Sequence, residues 1–346
     1  MNHNYPDFYK EFHCLAGSCT DTCCQGWDIV IDEETQALYE GLPGPLGDAL
    51  RQAMITDEDG DRIIRMNGDG FCPMLSADRL CRVQLALGEN GPCQTCRKFP
   101  RLTQDFGKFI DYGLSLACPE AARLILTHKG PWTVETEQDE VREEETDLDW
   151  VFMDYLEKHR RQLLDQVLAE GNTDGQALSI CLAGASALQD TLNGHPNREP
   201  GMTQTEEHYI RKLLQLHRDL EILTPEWEHL LDEALSFEDP LPRLPQTGMG
   251  KNLAADYLYR YWLLTVNDFD CLTNMELLCI NWVAVKTLAR VELAKNGTIT
   301  EDRLLWLFHL YAKEVEHDDI NREDLAEALF SDPELTVAAL DLLVSD

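Results

Sequence analysis

The spacing of apolar residues changes about a third of the way along the chain. Up to residue 130 the apolar runs are short and are broken by Gly, Pro, Asn and Asp, which is the pattern of brief strands, turns and small helices. Residues 28–31 read as a strand, and Asp32 with the acids after it starts a helix to about residue 40. A Pro-Gly break precedes a second helix at 46–54, and a hairpin turns at Asp59-Gly60 into a strand at 62–66, delivering Cys72 to a strand end. Residues 106–117 are apolar and strand-like and lead into Cys118-Pro119, where proline favours the first position of a helix. From residue 147 apolar positions recur every three or four residues. This predicts helices at 147–170, 175–192, 203–222, 225–237, 251–267, 273–296, 301–317, 322–330 and 333–344, with Leu213, Leu216, Leu220 and Leu223 as a core stripe.

The expected architecture is therefore α+β and mostly α: a small cysteine-rich, metal-centred module at 1–130, a linker at 131–149 and an α-helical domain at 150–346. The linker assignment rests on residues 134–149, which hold nine acids and one arginine, a composition typical of a solvated segment.

Charge narrows the possible partners. The chain has 29 basic and 63 acidic residues, a formal net charge of −34. Residues 1–130 hold 12 basic and 19 acidic residues, so −27 of that charge falls on 131–346. Such a field repels nucleic-acid phosphates and anionic lipid and favours cationic partners, although acidity also serves solubility alone. The N-terminal stretch lacks the apolar core of a secretory signal, and no run approaches the ~18 apolar residues of a membrane helix, so a cytoplasmic location is expected. In that reducing setting, clustered cysteines point to metal binding or redox chemistry rather than to disulfides.

The thiols supply the candidate chemistry. Cys14, Cys19, Cys23 and Cys24 fall within eleven positions, followed by Cys72, Cys81, the Cys93-x2-Cys96 pair and Cys118. Structural zinc and iron–sulfur clusters both need about four thiolates from turns whose N–H groups stabilise sulfur charge. The favoured ligands are Cys19, Cys23, Cys72, Cys81, Cys96 and Cys118, with Cys14 and Cys24 next and Cys93 last. Cys118, next to a helix start, gains from the helix dipole. Cys181, Cys271 and Cys279 lie on apolar helix faces and read as small buried hydrophobes. His309 and His317 read as surface residues, and Gly68-x-Gly70 lacks the helix that a dinucleotide fingerprint requires.

Five segments carry a resemblance: FHCLAGSCTDTCCQGWDIVID with Tyr39, then GFCPML, LCRVQLALGE, CRKFPR and SLACPEAARLIL. Together they resemble the flagellin lysine-N-methylases, and more weakly a broader class of zinc- or iron-chelating cysteine-rich domains. The resemblance spans about 14–126 and continues faintly at 252–270. It implies methyl transfer from S-adenosylmethionine to lysines of flagellin by an enzyme with a [4Fe-4S] cluster. The common methyltransferase motif of strand, glycine loop and helix is missing, so the resemblance leaves the cofactor pocket unassigned. A methyl acceptor must be a neutral amine, whereas free lysine has a pKa of about 10.4. Asp256, Tyr257 and Tyr259, with Arg260, Tyr261, Trp262 and Asp268, have the residue types for a desolvated channel or base. A non-catalytic zinc- or iron-binding protein and a redox iron–sulfur protein are the alternatives from other classes.

Overall fold

A computed structural model describes residues 1–27, 29–130, 132–139, 146–195 and 204–345. In chain order the strands are β1 (Asn2–Pro6), β2 (Ile29–Val30), β3 (Met54–Thr56), β4 (Arg62–Ile64), β5 (Arg101–Asp105), β6 (Phe109–Leu114) and β7 (Val134–Gln138). Four short helices, α1 (Glu33–Gly41), α2 (Gly44–Ala53), α3 (Arg82–Leu87) and α4 (Gln94–Lys98), precede α5 (Pro119–Leu126). The later helices are α6 (Trp150–Val167), α7 (Asp174–Asn193), α8 (Glu206–Asp219), α9 (Pro225–Ser236) and α10 (Met249–Tyr261). They continue as α11 (Thr265–Asp268), α12 (Leu272–Asn296), α13 (Glu301–Tyr311), α14 (Asp319–Ser331) and α15 (Val337–Val344). Among the described residues no helix is long and apolar enough to cross a membrane.

The chain divides into two compact units. The thiol unit comprises Phe12–Leu102 and Cys118–Glu120. Its sheet has the order β2-β4-β3, fully antiparallel, with Ile29 and Met54 both opposite Ile64. Ile29, Ile31, Tyr39, Leu50, Met54, Ile64, Met74 and Val83 form its core together with Cys72 and Cys93, and Cys24 and Cys81 pack against it. Asp32 caps α1 by accepting from Thr35 N at 3.0 Å, and its other oxygen accepts from Gln94 N at 2.8 Å where α4 begins. One carboxylate thus ties the strand-to-helix turn to the Cys93–Cys96 segment.

The second, helical unit contains Met1–Glu11, Thr103–Ala117 and Ala121–Asp346. Its sheet has the order β5-β6-β1-β7, with β1 parallel to β6 and antiparallel to β7. The sheet is fastened to the helices through Asp111, which is buried and accepts from Asn4 Nδ2 at 2.8 Å and from Arg160 Nη1 at 2.6 Å. Arg160 also donates to the Tyr259 carbonyl at 3.0 Å. Helix α12 is buried nearly all round from Met275 to Val285, which makes it the central element.

Several sequence expectations change in detail. The acidic segment expected to be a linker contains β7, whose Val134–Gln138 pairs along the whole of β1, because an exposed edge strand can carry acids on both faces. Residues 140–145 of that segment, and Asp28 of the expected first strand, lie outside the described residues. The strand before Cys72 ends at Ile64, so Cys72 sits beyond a turn, its N–H donating to the Cys24 carbonyl at 2.7 Å. His309 is buried, 1% exposed, with Nδ1 3.3 Å from the Leu116 carbonyl, whereas His317 is exposed. Leu213 is fully buried, while Leu216, Leu220 and Leu223 are half-buried.

Candidate functional site

Two groups of side chains stand out, one in each unit. In the thiol unit, irregular backbone brings together cysteines far apart in sequence. Gln25 bridges Phe71, and Leu75 bridges Cys81 across a tight turn held by Ser76 and Arg79. Cys81 and Cys93 occupy the positions just before α3 and α4, and Cys118 directly precedes Pro119 at the start of α5.

The nine thiols between Cys14 and Cys118 form one connected group. Cys24 is central, bonded to the thiols of both Cys23 and Cys72. Cys23 is also within electrostatic reach of Cys14 and Cys118, and Cys14 of Cys19. Cys81 lies within reach of Cys24 and Cys93, and Cys96, bonded to Cys93, within reach of Cys23 and Cys24. Cys14, Cys23 and Cys96 are exposed while Cys72 and Cys93 are buried, so the group spans from core to surface.

Proton sharing within this group is uneven. Hydrogen bonds from Cys23 and Cys72 draw the Cys24 thiol down to about 3, against the opposing effect of burial. The same bond to Cys24, together with burial, pushes Cys23 well up, as it does Cys72. In the second pair, the Cys96 thiol lowers Cys93 to about 7. Tyr39, buried beside Cys81, Cys93 and Cys96, donates to the Gly91 carbonyl at 3.0 Å and holds the loop before Cys93.

Among the described residues no group of three or more His, Cys, Asp or Glu side chains is arranged to hold a metal ion. The chemistry of the donor set nonetheless fits a thiolate-bound centre. It offers nine thiols in one electrostatically connected group, one of them already favouring the thiolate, with Asp32 acting upward on Cys93. Cys93, ranked last in the sequence reading, is hydrogen-bonded to Cys96.

The second group lies in the helical unit. Asp256, Tyr257, Arg260 and Tyr261 of α10 converge on Glu316, the last residue of a π-helical turn, Ala312–Glu316. Single π-turns in otherwise α-helical chain often accompany functional sites. Glu316 accepts from Tyr257 Oη at 3.0 Å and Tyr261 Oη at 3.2 Å, and pairs with Arg260. Arg260 Nε donates to Asp256 at 2.8 Å, and Asn281 Nδ2 donates to Tyr257 Oη at 3.2 Å. The Arg260 guanidinium lies 5.5 Å from the Tyr257 ring and 4.8 Å from that of Tyr261, with Arg322 4.2 Å from the latter.

Asp256 and Glu316 share Arg260 but are tuned apart. Burial pushes Asp256 up to about 7 despite Arg260. Burial also acts upward on Glu316, but Arg260, the Tyr257 hydroxyl and Arg322 outweigh it and hold that carboxyl below its ordinary value.

Not all the residues singled out in and after α10 join this network. Tyr259 donates its hydroxyl to the Asn4 carbonyl at 3.1 Å and supports β1, while Trp262 Nε1 donates to the Leu156 carbonyl at 3.1 Å. Asp268 is exposed and accepts from Asp270 N at 2.9 Å. Glu316, Asn281 and Arg322 escaped sequence reading. KEVEHDDI carries the charge pattern of a surface, and only the spacing of Tyr257 and Tyr261, four apart around Arg260, hinted at a shared polar partner.

Residues 151–339, more than half of the chain, match the FliB lysine N-methylase C-terminal domain. The chain belongs to the FliB lysine N-methylase family. It is 35% identical over 134 residues to the flagellar biosynthetic protein FliU of Salmonella muenchen, covering 35% of this chain and 75% of that protein. It is also 35% identical over 126 residues to the lysine-N-methylases of Salmonella typhimurium and Salmonella choleraesuis, covering 35% of this chain. The match spans 31% of each of those two relatives, less than a third of their length. No solved structure matches the chain.

Proposed function

We propose that this protein is a lysine N-methyltransferase that acts on flagellin, takes its methyl group from S-adenosylmethionine and carries a [4Fe-4S] cluster on the thiol unit. The family match over residues 151–339 carries the activity, and the names of the relatives support a flagellar substrate. The net charge of −34 suits a partner presenting lysines. The connected thiols supply the ligand set, with Cys23, Cys24, Cys72 and Cys96 at its middle and Cys14, Cys19, Cys81 and Cys118 around them. When bound, such a cluster supplies a Lewis-acidic and redox-capable metal centre.

Methyl transfer to nitrogen requires a neutral amine, so the ammonium of about pKa 10.4 must lose its proton or be desolvated. Asp256 is assigned as the proton acceptor because its carboxyl, at about 7, titrates near working pH. Tyr257, held between Glu316 and Asn281, and Tyr261 provide the aromatic surroundings that disfavour an ammonium. Tyr259 contributes as a strut between α10 and β1. Asp256 and Tyr257 are 1% and 3% exposed, so this role requires α10 to open toward the substrate.

The test begins with anaerobic purification, a visible spectrum, and iron, sulfide and zinc measured on one sample. Matched iron and sulfide, with lysine methylation of flagellin read by mass spectrometry, is the expected result. Colourless protein with stoichiometric zinc and no recovery on iron–sulfide reconstitution removes the cluster, and absence of methylation at full cluster content removes the activity. Asp256→Asn and Tyr257→Phe are expected to slow methylation at unchanged iron content by about 10²-fold or more, the usual size of a proton-transfer contribution. Undiminished turnover in both variants would take the network out of the chemistry.

A further inference from the structure

A cavity of about 420 Å³ lies within the helical unit, away from the Glu316 network and lined by none of its residues. Its size falls in the range of small-molecule sites, roughly 300–1,000 Å³. Helix α12 presents Trp282, Lys286 and Arg290 to it, at spacings of four that place them on one face, and α13 adds Phe308. The Trp282 and Phe308 rings are stacked at 5.9 Å with 22° between their planes.

Three features make this cavity more than a packing gap. First, it gathers three cations, Arg243, Lys286 and Arg290, in a chain of net charge −34. Second, Lys286 Nζ donates to the Ser345 carbonyl at 3.0 Å, while the two arginines are only partly answered within the protein. Arg243 is exposed and has no ion-pair partner among the described residues, while Arg290 spends Nε and Nη2 on the carbonyls of Pro242 and Leu241 and reaches Glu206 only at 3.9 Å. Burial lowers Arg290 from its ordinary value, with Glu206 opposing the shift and the neighbouring Arg243 adding to it by a smaller amount. The other acid on the wall, Asp174, is already committed, accepting from Thr247 N at 3.1 Å, Gly248 N at 3.1 Å and Lys251 N at 3.0 Å. Third, Trp282 is 6% exposed, and its buried indole N–H has no acceptor among the described residues. An unpaired buried donor is unfavourable, which leaves this side chain a reason to rearrange when an acceptor enters the cavity.

We propose that this cavity binds a nucleoside-sized anion, its flat ring against the exposed edge of Trp282, which Phe308 backs, and its acidic group held by Arg243, Lys286 and Arg290. Aromatic walls with a few convergent polar groups are the common form of such sites, and arginine suits a carboxylate or a phosphate equally. The assignment rests on the cavity's own residues and holds whether or not the chain transfers methyl groups. Two sources provide this chemistry: nucleotides, through phosphate, and adenosyl amino acids, through carboxylate.

Isothermal titration of the full chain with AMP and with S-adenosylhomocysteine separates those sources, with adenosine and inorganic phosphate as the two halves of the ligand. One of the two complete ligands is expected to saturate a single site, and adenosine and phosphate to bind at least tenfold more weakly. Arg243→Gln and Lys286→Gln are each expected to weaken binding at least tenfold at unchanged thermal unfolding. The Trp282 indole N–H resonance, assigned by its loss in Trp282→Phe, is expected to shift on saturation. Saturation by S-adenosylhomocysteine would identify the carboxylate-bearing source and place the spent methyl donor here. Saturation by AMP alone would identify the phosphate-bearing source. Failure of both ligands to saturate, or saturation indifferent to both charge substitutions, overturns the proposal. Flagellin methylation by the unaltered chain is measured separately, so its failure leaves this result standing.

Discussion

The two units solve the problem of burial in opposite ways. The thiol unit has strands of two and three residues, and its core includes two cysteines among a limited set of aliphatic side chains. The helical unit packs long helices around α12 and has enough apolar burial to keep Asp111–Arg160 and Asp256–Arg260–Glu316 inside. Small cores rarely stabilise a fold alone and are commonly reinforced by metals or cross-links. Large cores can tolerate the desolvation of paired charges. The difference teaches that thiols in the first unit and ion pairs in the second occupy equivalent places, each holding segments together where apolar contacts do not.

The comparison is broken most severely by removing the centre of the thiol group. Cys24→Ser combined with Cys72→Ser is expected to abolish retention of the proposed cluster's iron and to expose residues 12–102 to amide exchange, leaving the helical unit protected. Loss of protection in both units together would show that the helical unit depends on the thiols as well. Next in size is Arg260→Met, which leaves Asp256 and Glu316 buried without their shared cation. A cost of about 3–5 kcal/mol is expected in urea unfolding, and a loss below 1 kcal/mol would show the network to be less desolvated than its burial implies.

A smaller effect is expected from pH. His217, fully buried with Nδ1 2.7 Å from the Leu213 carbonyl, is lowered by burial from its ordinary 6.5 to about 4. A depressed base binds its proton more weakly when folded, so its contribution is present above about 6.5 and is lost as pH falls toward 4. The loss amounts to as much as about 3 kcal/mol, and His217→Leu should flatten urea-unfolding stability across that window. Unchanged pH dependence in the variant would assign the acid sensitivity to other groups. The smallest effect concerns Asp32→Ala, which removes the cap of α1 and the acceptor for Gln94 N. A loss of about 1–2 kcal/mol is expected, with amide exchange rising near Cys93 if the carboxylate ties the two segments together, and unchanged there if it serves only α1.

Much of this was legible before any coordinates. Helices expected at 175–192, 225–237 and 273–296 appear as Asp174–Asn193, Pro225–Ser236 and Leu272–Asn296, because long runs of helix-forming residues, the first two opened by Thr173 and Thr224 caps, are local signals. The Asp32 cap, the hairpin around Asp59-Gly60 and the helix opened by Pro119 were equally local. The buried Cys181, Cys271 and Cys279 followed from apolar faces.

The sequence by itself determined where the long helices of the second half lie, where the charge lies and that nine thiols crowd the first third of the chain. Tertiary structure alone decided that Asn2–Pro6 and the acidic Val134–Gln138 pair as strands, that His309 is buried, and that Glu316 gathers Tyr257, Arg260 and Tyr261. It also decided which thiols touch, with Cys24 between Cys23 and Cys72 and the loop of Tyr39 beside Cys93. The physical reason is range: caps, turns and helical period act over three or four residues and are written in neighbouring letters. The contacts of Glu316 with Tyr257, Arg260 and Tyr261 span 59, 56 and 55 positions and that of Cys24 with Cys72 spans 48, and adjacent letters do not carry them.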